Sequence, residues 1–164
     1  MSMRSATNLH EDDFFAWTQL QAKELRKFAR TRPNLPLDLA HIAEEIADLG
    51  TEQRNAVRSW TARVIEHLLL LEHSPASDPR RGWTNEIVTR RRDIERRLTP
   101  VLHRHLKRHL QHRYGEARSD LARKLDRYGE GDVADRLPQQ CPYTLDQVLG
   151  DFWPEPQGGH ERSA

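Results

Sequence analysis

The sequence predicts an all-α fold: a compact bundle of about four long amphipathic helices, with a short C-terminal helix and a packed tail. Three observations predict it. Apolar residues recur at helical intervals through most of the chain. No segment alternates apolar and polar residues as a half-buried strand would. Proline and glycine fall between the periodic stretches and punctuate them. The 164 residues suffice for one domain with its own core. Residues 12–154 read as that single helical domain, between flexible ends at 1–11 and 155–164.

Asp12 is expected to cap a first helix that runs to about Thr31, ahead of Pro33 and Pro36. Its apolar face reads as Trp17, Leu20, Leu25 and Phe28. Asp38 has the position of an N-cap for the second helix. There Leu39, Ile42, Ile46 and Leu49 stay in phase with Val57, Trp60, Val64, Leu68 and Leu71. Gly50 costs roughly 1 kcal/mol against Ala inside a helix, yet the phase survives it. One long helix, bent or straight at Gly50, is expected over two separate ones. Two prolines mark residues 74–82 as a loop. A third helix then shows Trp83, Ile87, Ile94 and Leu98 on one face. Thr99-Pro100 is a restart signal, since proline suits the first helical position. The fourth helix aligns Leu106, Leu110, Tyr114, Ala117, Leu121, Leu125 and Tyr128, and Gly129 and Gly131 end it. Thr144 with Gln147 is a capping-box pattern, and Tyr143 with Val148 has the spacing of a hydrophobic staple. A short helix over 145–149 follows, with Phe152 and Trp153 expected to pin the tail.

Composition narrows the function classes. Charged residues make up 31% of the chain and hydrophobic ones 36%, so the core must be gathered on stripes. The lone Cys141 excludes an internal disulfide and a multi-cysteine metal site. The N-terminus shows no apolar run of signal-peptide type. The apolar run Leu68–Leu71 is far short of the roughly 20 residues that span a bilayer. A cytoplasmic protein with no membrane partner is expected. The net charge of +1 is unevenly spread, because residues 78–113 hold 11 Lys/Arg against 4 Asp/Glu. That segment asks for an acidic partner, either nucleic acid or the chain's own acidic helices.

Several groups of residues resemble one known family. Asp13-Phe14 with Trp17, then Ile42-Ala43-Glu44-Glu45-Ile46 with Leu49-Gly50, are similar to the front half of the bacterial family catalogued as domain of unknown function 29. Trp83, Ile87, Arg91 and Ile94 resemble its middle. Cys141-Pro142-Tyr143-Thr144-Leu145 with Phe152-Trp153-Pro154 resembles its C-terminal signature. The resemblance implies an all-α bacterial fold and brings no catalytic residues with it.

Arg91 falls in the middle of the Ile87, Ile94, Leu98 face. A buried guanidinium left without a partner costs several kcal/mol, so a charged seam is expected. On the second helix Glu45 is the first choice of partner and Glu44 the second, with His67 just inside the edge of that helix's apolar stripe. Such a seam fixes helix register, and a polar binding pocket is the alternative.

Other chemistry is weaker. His105, His109 and His112 share a helix face at i, i+4, i+7. Their wheel positions point to solvent, and Lys107, Arg108 and Arg113 beside them disfavour a cation. No metal or cofactor is expected, and no catalytic residue is assigned. Arg90, Arg92, Arg96, Arg97, Arg104, Lys107 and Arg108 form a ridge for a polyanion. It has no aromatic platform and no helix-turn-helix. Arg104 with His109, and Arg97 with His103, carry an Arg-to-His spacing found in small helical nucleases, which makes an RNase a remote reading. The leading expectation is a non-enzymatic interaction or regulatory protein that meets another chain, a second copy included. A nucleic-acid-associated protein is its rival.

Overall fold

The computed structural model describes residues 6–31 and 35–157. In chain order the helices are α1 (Ala6–Asp12), α2 (Phe14–Thr31), α3 (Leu39–His73), α4 (Arg80–Arg97), α5 (Pro100–Arg127), α6 (Gly131–Arg136) and α7 (Leu145–Leu149). No strand occurs among the described residues. The four long helices and α7 fall where the periodicity places them. The short α1 and α6 were not anticipated, because neither is long enough to show a period.

The chain divides into two compact units. The first comprises Met1–Val57 with Arg97–His105, the second Arg58–Arg96 with Leu106–Ala164.

In the first unit the cap of α2 is Asp13, one residue after the expected Asp12. Asp13 Oδ1 accepts from Ala16 N at 2.9 Å, and its Oδ2 accepts from Val101 N at 2.9 Å. One carboxylate thus serves two helix N-termini, where unpaired N–H groups and the helix dipole both favour negative charge. Pro100 brings no N–H of its own, so Val101 offers the first donor of α5. Asp38 caps α3 through His41 N at 3.2 Å, and Thr99 Oγ1 accepts from Leu102 N at 3.3 Å.

α3 runs without a break through Gly50. A Cβ at Gly50 would collide with the Thr18 hydroxyl of α2. Glycine is there to let two helices approach closely. This contact also sets which face is inward. Thr18, Ala22, Ala43 and Gly50 are buried, while Leu20, Phe28, Ile42 and Leu49 are exposed. Half of the expected apolar stripes of α2 and early α3 is therefore turned outward: Leu39 stays buried and Trp17, Leu25 and Ile46 half-buried, while small residues take the closest contacts.

The second unit packs larger side chains. Val64, Ile65, Leu68 and Leu69 of α3 are fully buried, as are Ile87 of α4 and Tyr114 of α5. Leu121, Leu125, Val133, Leu137, Leu145 and Val148 are almost so. Tyr128 leaves the expected stripe, since α5 ends at Arg127 and the ring is 82% exposed. Gly129 follows at φ 77°, a left-handed turn that suits glycine.

Candidate interaction surfaces

The tail of the second unit is held by a basic clamp. α7 begins with the full capping box: Gln147 N donates to Thr144 Oγ1 at 3.2 Å and Thr144 N to Gln147 Oε1 at 2.8 Å. At the other end of so short a helix the last carbonyls have no helical partner. Arg91 supplies the donors. Its Nε bonds Val148 O at 3.0 Å, and its Nη2 bonds Gln147 O at 2.9 Å and Phe152 O at 2.8 Å. The guanidinium also lies 5.1 Å from the Trp153 ring centroid, a cation–π contact. Burial pulls the Arg91 pKa below its ordinary value, with Asp151 opposing.

The expected seam is corrected on this point. Arg91 is half-buried, but the partners it bonds are main-chain carbonyls, while Glu44 and Glu45 are exposed. Helix C-terminal carbonyls carry partial negative charge, and a planar fork can serve several of them at once. His67 is not part of a seam either. Its Nδ1 lies 2.9 Å from Arg63 O on its own helix, and burial lowers its pKa.

Sequence reasoning missed Glu72. Tyr143 Oη donates to its Oε2 at 2.6 Å, Gln157 Nε2 to its Oε1 at 2.7 Å, and Gln157 N to its main-chain O at 2.8 Å. Burial and this bond both raise the Tyr143 pKa. Tyr143 and Phe152 meet at 6.0 Å between ring centroids. The strap from Gly150 to Gln157 is thus fixed near both ends. Its available signal was the set of unpaired carbonyls any short helix leaves behind.

Also in the second unit, α3 and α5 flank a groove of about 990 Å³. Small residues line it, including Ser59, Ala62, Gly115 and Ser119. A Cβ at Gly115 would meet nothing within 4 Å. The buried Glu66 carboxylate beneath is already satisfied, by Lys124 Nζ at 2.6 Å and Arg63 Nη1 at 2.9 Å. The groove is therefore polar and internally balanced, without a net demand for a charged ligand.

The basic ridge is partly dispersed. Arg90 is tied to Glu86 at 2.8 Å and Asp93 at 3.1 Å, and Arg96 lies 3.8 Å from Asp93. Arg92, Arg97, Arg104, Lys107 and Arg108 are exposed. His105 and His109 are half-buried, against the expectation that all three histidines face solvent. His112 is exposed, 3.5 Å from Glu116. No group of three or more His, Cys, Asp or Glu is placed to hold a metal among the described residues. Cys141 Sγ bonds Tyr143 O at 3.3 Å, and burial raises its pKa, which favours the unreactive thiol.

The first unit presents the opposite kind of surface. Leu20 (39% exposed), Phe28 (46%), Leu37 (58%), Ile42 (39%) and Leu49 (51%) face outward. A shallow depression along α2 is lined by Gln21, Glu24, Leu25 and Phe28.

The family model described as Domain of unknown function DUF29 matches residues 9–153. The chain belongs to the DUF29 family. The matched span reaches from before Asp13 to Trp153, so the double cap and the Arg91 clamp both lie inside it. A crystal structure of an alpha-helical protein of unknown function from Rhodospirillum rubrum ATCC 11170 is similar to this DUF29 chain. Its TM-score is 0.76 at 27% sequence identity, and the match covers 90% of each chain. No curated protein matches it. Among the described residues no helix is long and apolar enough to cross a membrane.

Proposed function

We propose that this DUF29 chain is a non-enzymatic interaction or regulatory protein of the cytoplasm, and that the first unit binds another polypeptide. The observation that carries this reading is the inversion in α2 and early α3. The fold buries Ala22, Ala43 and Gly50 and leaves Leu20, Phe28, Leu37, Ile42 and Leu49 in water. Several large apolar side chains exposed on α2, on α3 and between them are the kind of surface that marks sites where proteins meet. Fully covering a Leu or Phe contributes about 1.5–3 kcal/mol, so sealing these five is worth several kcal/mol to a complex.

The test is a paired measurement on the native chain and a Phe28→Glu/Leu49→Glu variant. Light scattering over a concentration series detects a second copy, and capture from native extract detects a different partner. The native chain should self-associate or retain a stoichiometric partner, and the variant should lose that complex at least tenfold. Because both positions are exposed, the variant should keep its helical circular dichroism. A complex of equal strength in the variant would defeat the reading, as would a native chain that stays monomeric and retains nothing.

A further inference from the structure

Residues 96–115 contain no Asp or Glu, yet they hold six Lys/Arg and four His. Within this stretch α5 is one uninterrupted helix, so helical phase alone arranges its side chains. Leu102, Leu106, Tyr114 and Ala117 are buried. On the opposite face Arg104, Lys107, Arg108 and Gln111 follow one another at i, i+3, i+4 and i+7, all exposed.

Later in α5 several cations are paired within the chain, although Arg118 bonds only the Leu137 carbonyl and Arg127 forms no ion pair among the described residues. Arg113 pairs with Glu116, Arg123 with Asp120, and Lys124 with Glu66. Arg104, Lys107 and Arg108 form no ion pair among the described residues. Their charge is solvated and open to an anion.

We infer that this face of α5 binds the phosphodiester backbone of double-stranded nucleic acid. The composition of the strip selects this partner over an acidic protein. A protein interface needs an apolar centre, and Arg104, Lys107, Arg108 and Gln111 supply none. Phosphates need only cations and hydrogen-bond donors. The strip also has no aromatic side chain on which unpaired bases could stack, which selects duplex over single strand. Contacts to the backbone alone carry no base sequence, so binding is sequence-independent. The strip shares no residue with the exposed apolar set of α2 and early α3, and the Phe28→Glu/Leu49→Glu variant should still bind duplex.

Fluorescence anisotropy with labelled duplexes of about twenty base pairs, one DNA and one RNA, tests the inference over about 50 to 200 mM salt. Three phosphate contacts predict a loss of about 40-fold across that range, from a slope of about 0.9 per contact. An Arg104→Gln/Lys107→Gln/Arg108→Gln variant should bind at least tenfold more weakly with a flattened salt slope. Arg104→Lys/Arg108→Lys, which keeps the charge, should bind nearly as the native chain does. The DNA and RNA arms identify the duplex, and binding of either supports the inference. Absence of binding to both at low salt overturns it. So does a triple-Gln variant that binds unchanged, or a polyglutamate peptide that competes as well as unlabelled duplex.

Discussion

The two units solve the same packing problem with different residues. The first brings helices together through Thr18, Ala22, Ala43 and Gly50, and although Leu39, Val57 and Leu102 are buried, five of its large apolar side chains are left outside. The second fills its interior with Leu, Ile, Val and Tyr, and a strap tied by Arg91 and Glu72 closes one side. Buried apolar area favours the second as a stable body. The first retains surface that a partner can still cover. On the proposed function, stability and recognition would fall to different stretches of one chain.

Extremes of pH should break the second unit most strongly. Burial pushes the Tyr114 pKa up to about 12 and raises that of Tyr143 as well. A raised folded-state value means that their contribution is complete below pH 10 and is lost as pH climbs through 10 towards 12. Burial lowers the pKa of His67 and His73 from the ordinary 6.5. Their contribution is complete above 6.5 and declines as pH falls below it. Tyrosine absorbance recorded with far-ultraviolet circular dichroism should show ionisation of the two phenols only together with loss of helix.

Replacing Arg91 is the next largest effect. Arg91→Met strands the carbonyls of Gln147, Val148 and Phe152, which costs about 3 kcal/mol or more. Arg91→Lys should restore part of it, because one ammonium cannot reproduce the three-carbonyl fork. Chemical denaturation followed by tryptophan emission reads both, since Trp153 loses its cation in the Met variant. Glu44→Gln and Glu45→Gln should leave the midpoint unchanged within about 0.5 kcal/mol, as exposed substitutions usually do.

Smaller shifts than that of Arg91→Met come from two glycines, one in each unit. Gly50→Ala forces a methyl group against the buried Thr18 and should destabilise by about 1–3 kcal/mol. Gly115→Ala meets open space and should stabilise by about 0.5–1 kcal/mol through helix propensity. Thermal melts of the pair decide this, and equal shifts would remove the distinction drawn between the units.

Sequence reading succeeded where a single period or a local cap decides the outcome. The four long helices, the restart at Thr99-Pro100 and the capping box of Thr144 and Gln147 are all local. It failed where tertiary contact decides. Leu20, Phe28, Ile42 and Leu49 satisfy the helical period, but Gly50 against Thr18 rotates a different face inward. Arg91 was recognised as a side chain needing a partner, yet the partner came from main-chain atoms, which every residue carries and no residue type announces. The family match spans residues 9–153 and brings no site to compare.

Asp13 and Val101 are 88 residues apart in sequence, and one carboxylate joins the starts of two helices. During synthesis α2 leaves the ribosome with half of its capping group unused. The junction stays incomplete until the beginning of α5 has followed it out. A chain truncated before that point lacks the α5 donor for the second oxygen and leaves that end of α2 open, so shortened products should be the ones that quality-control proteases remove.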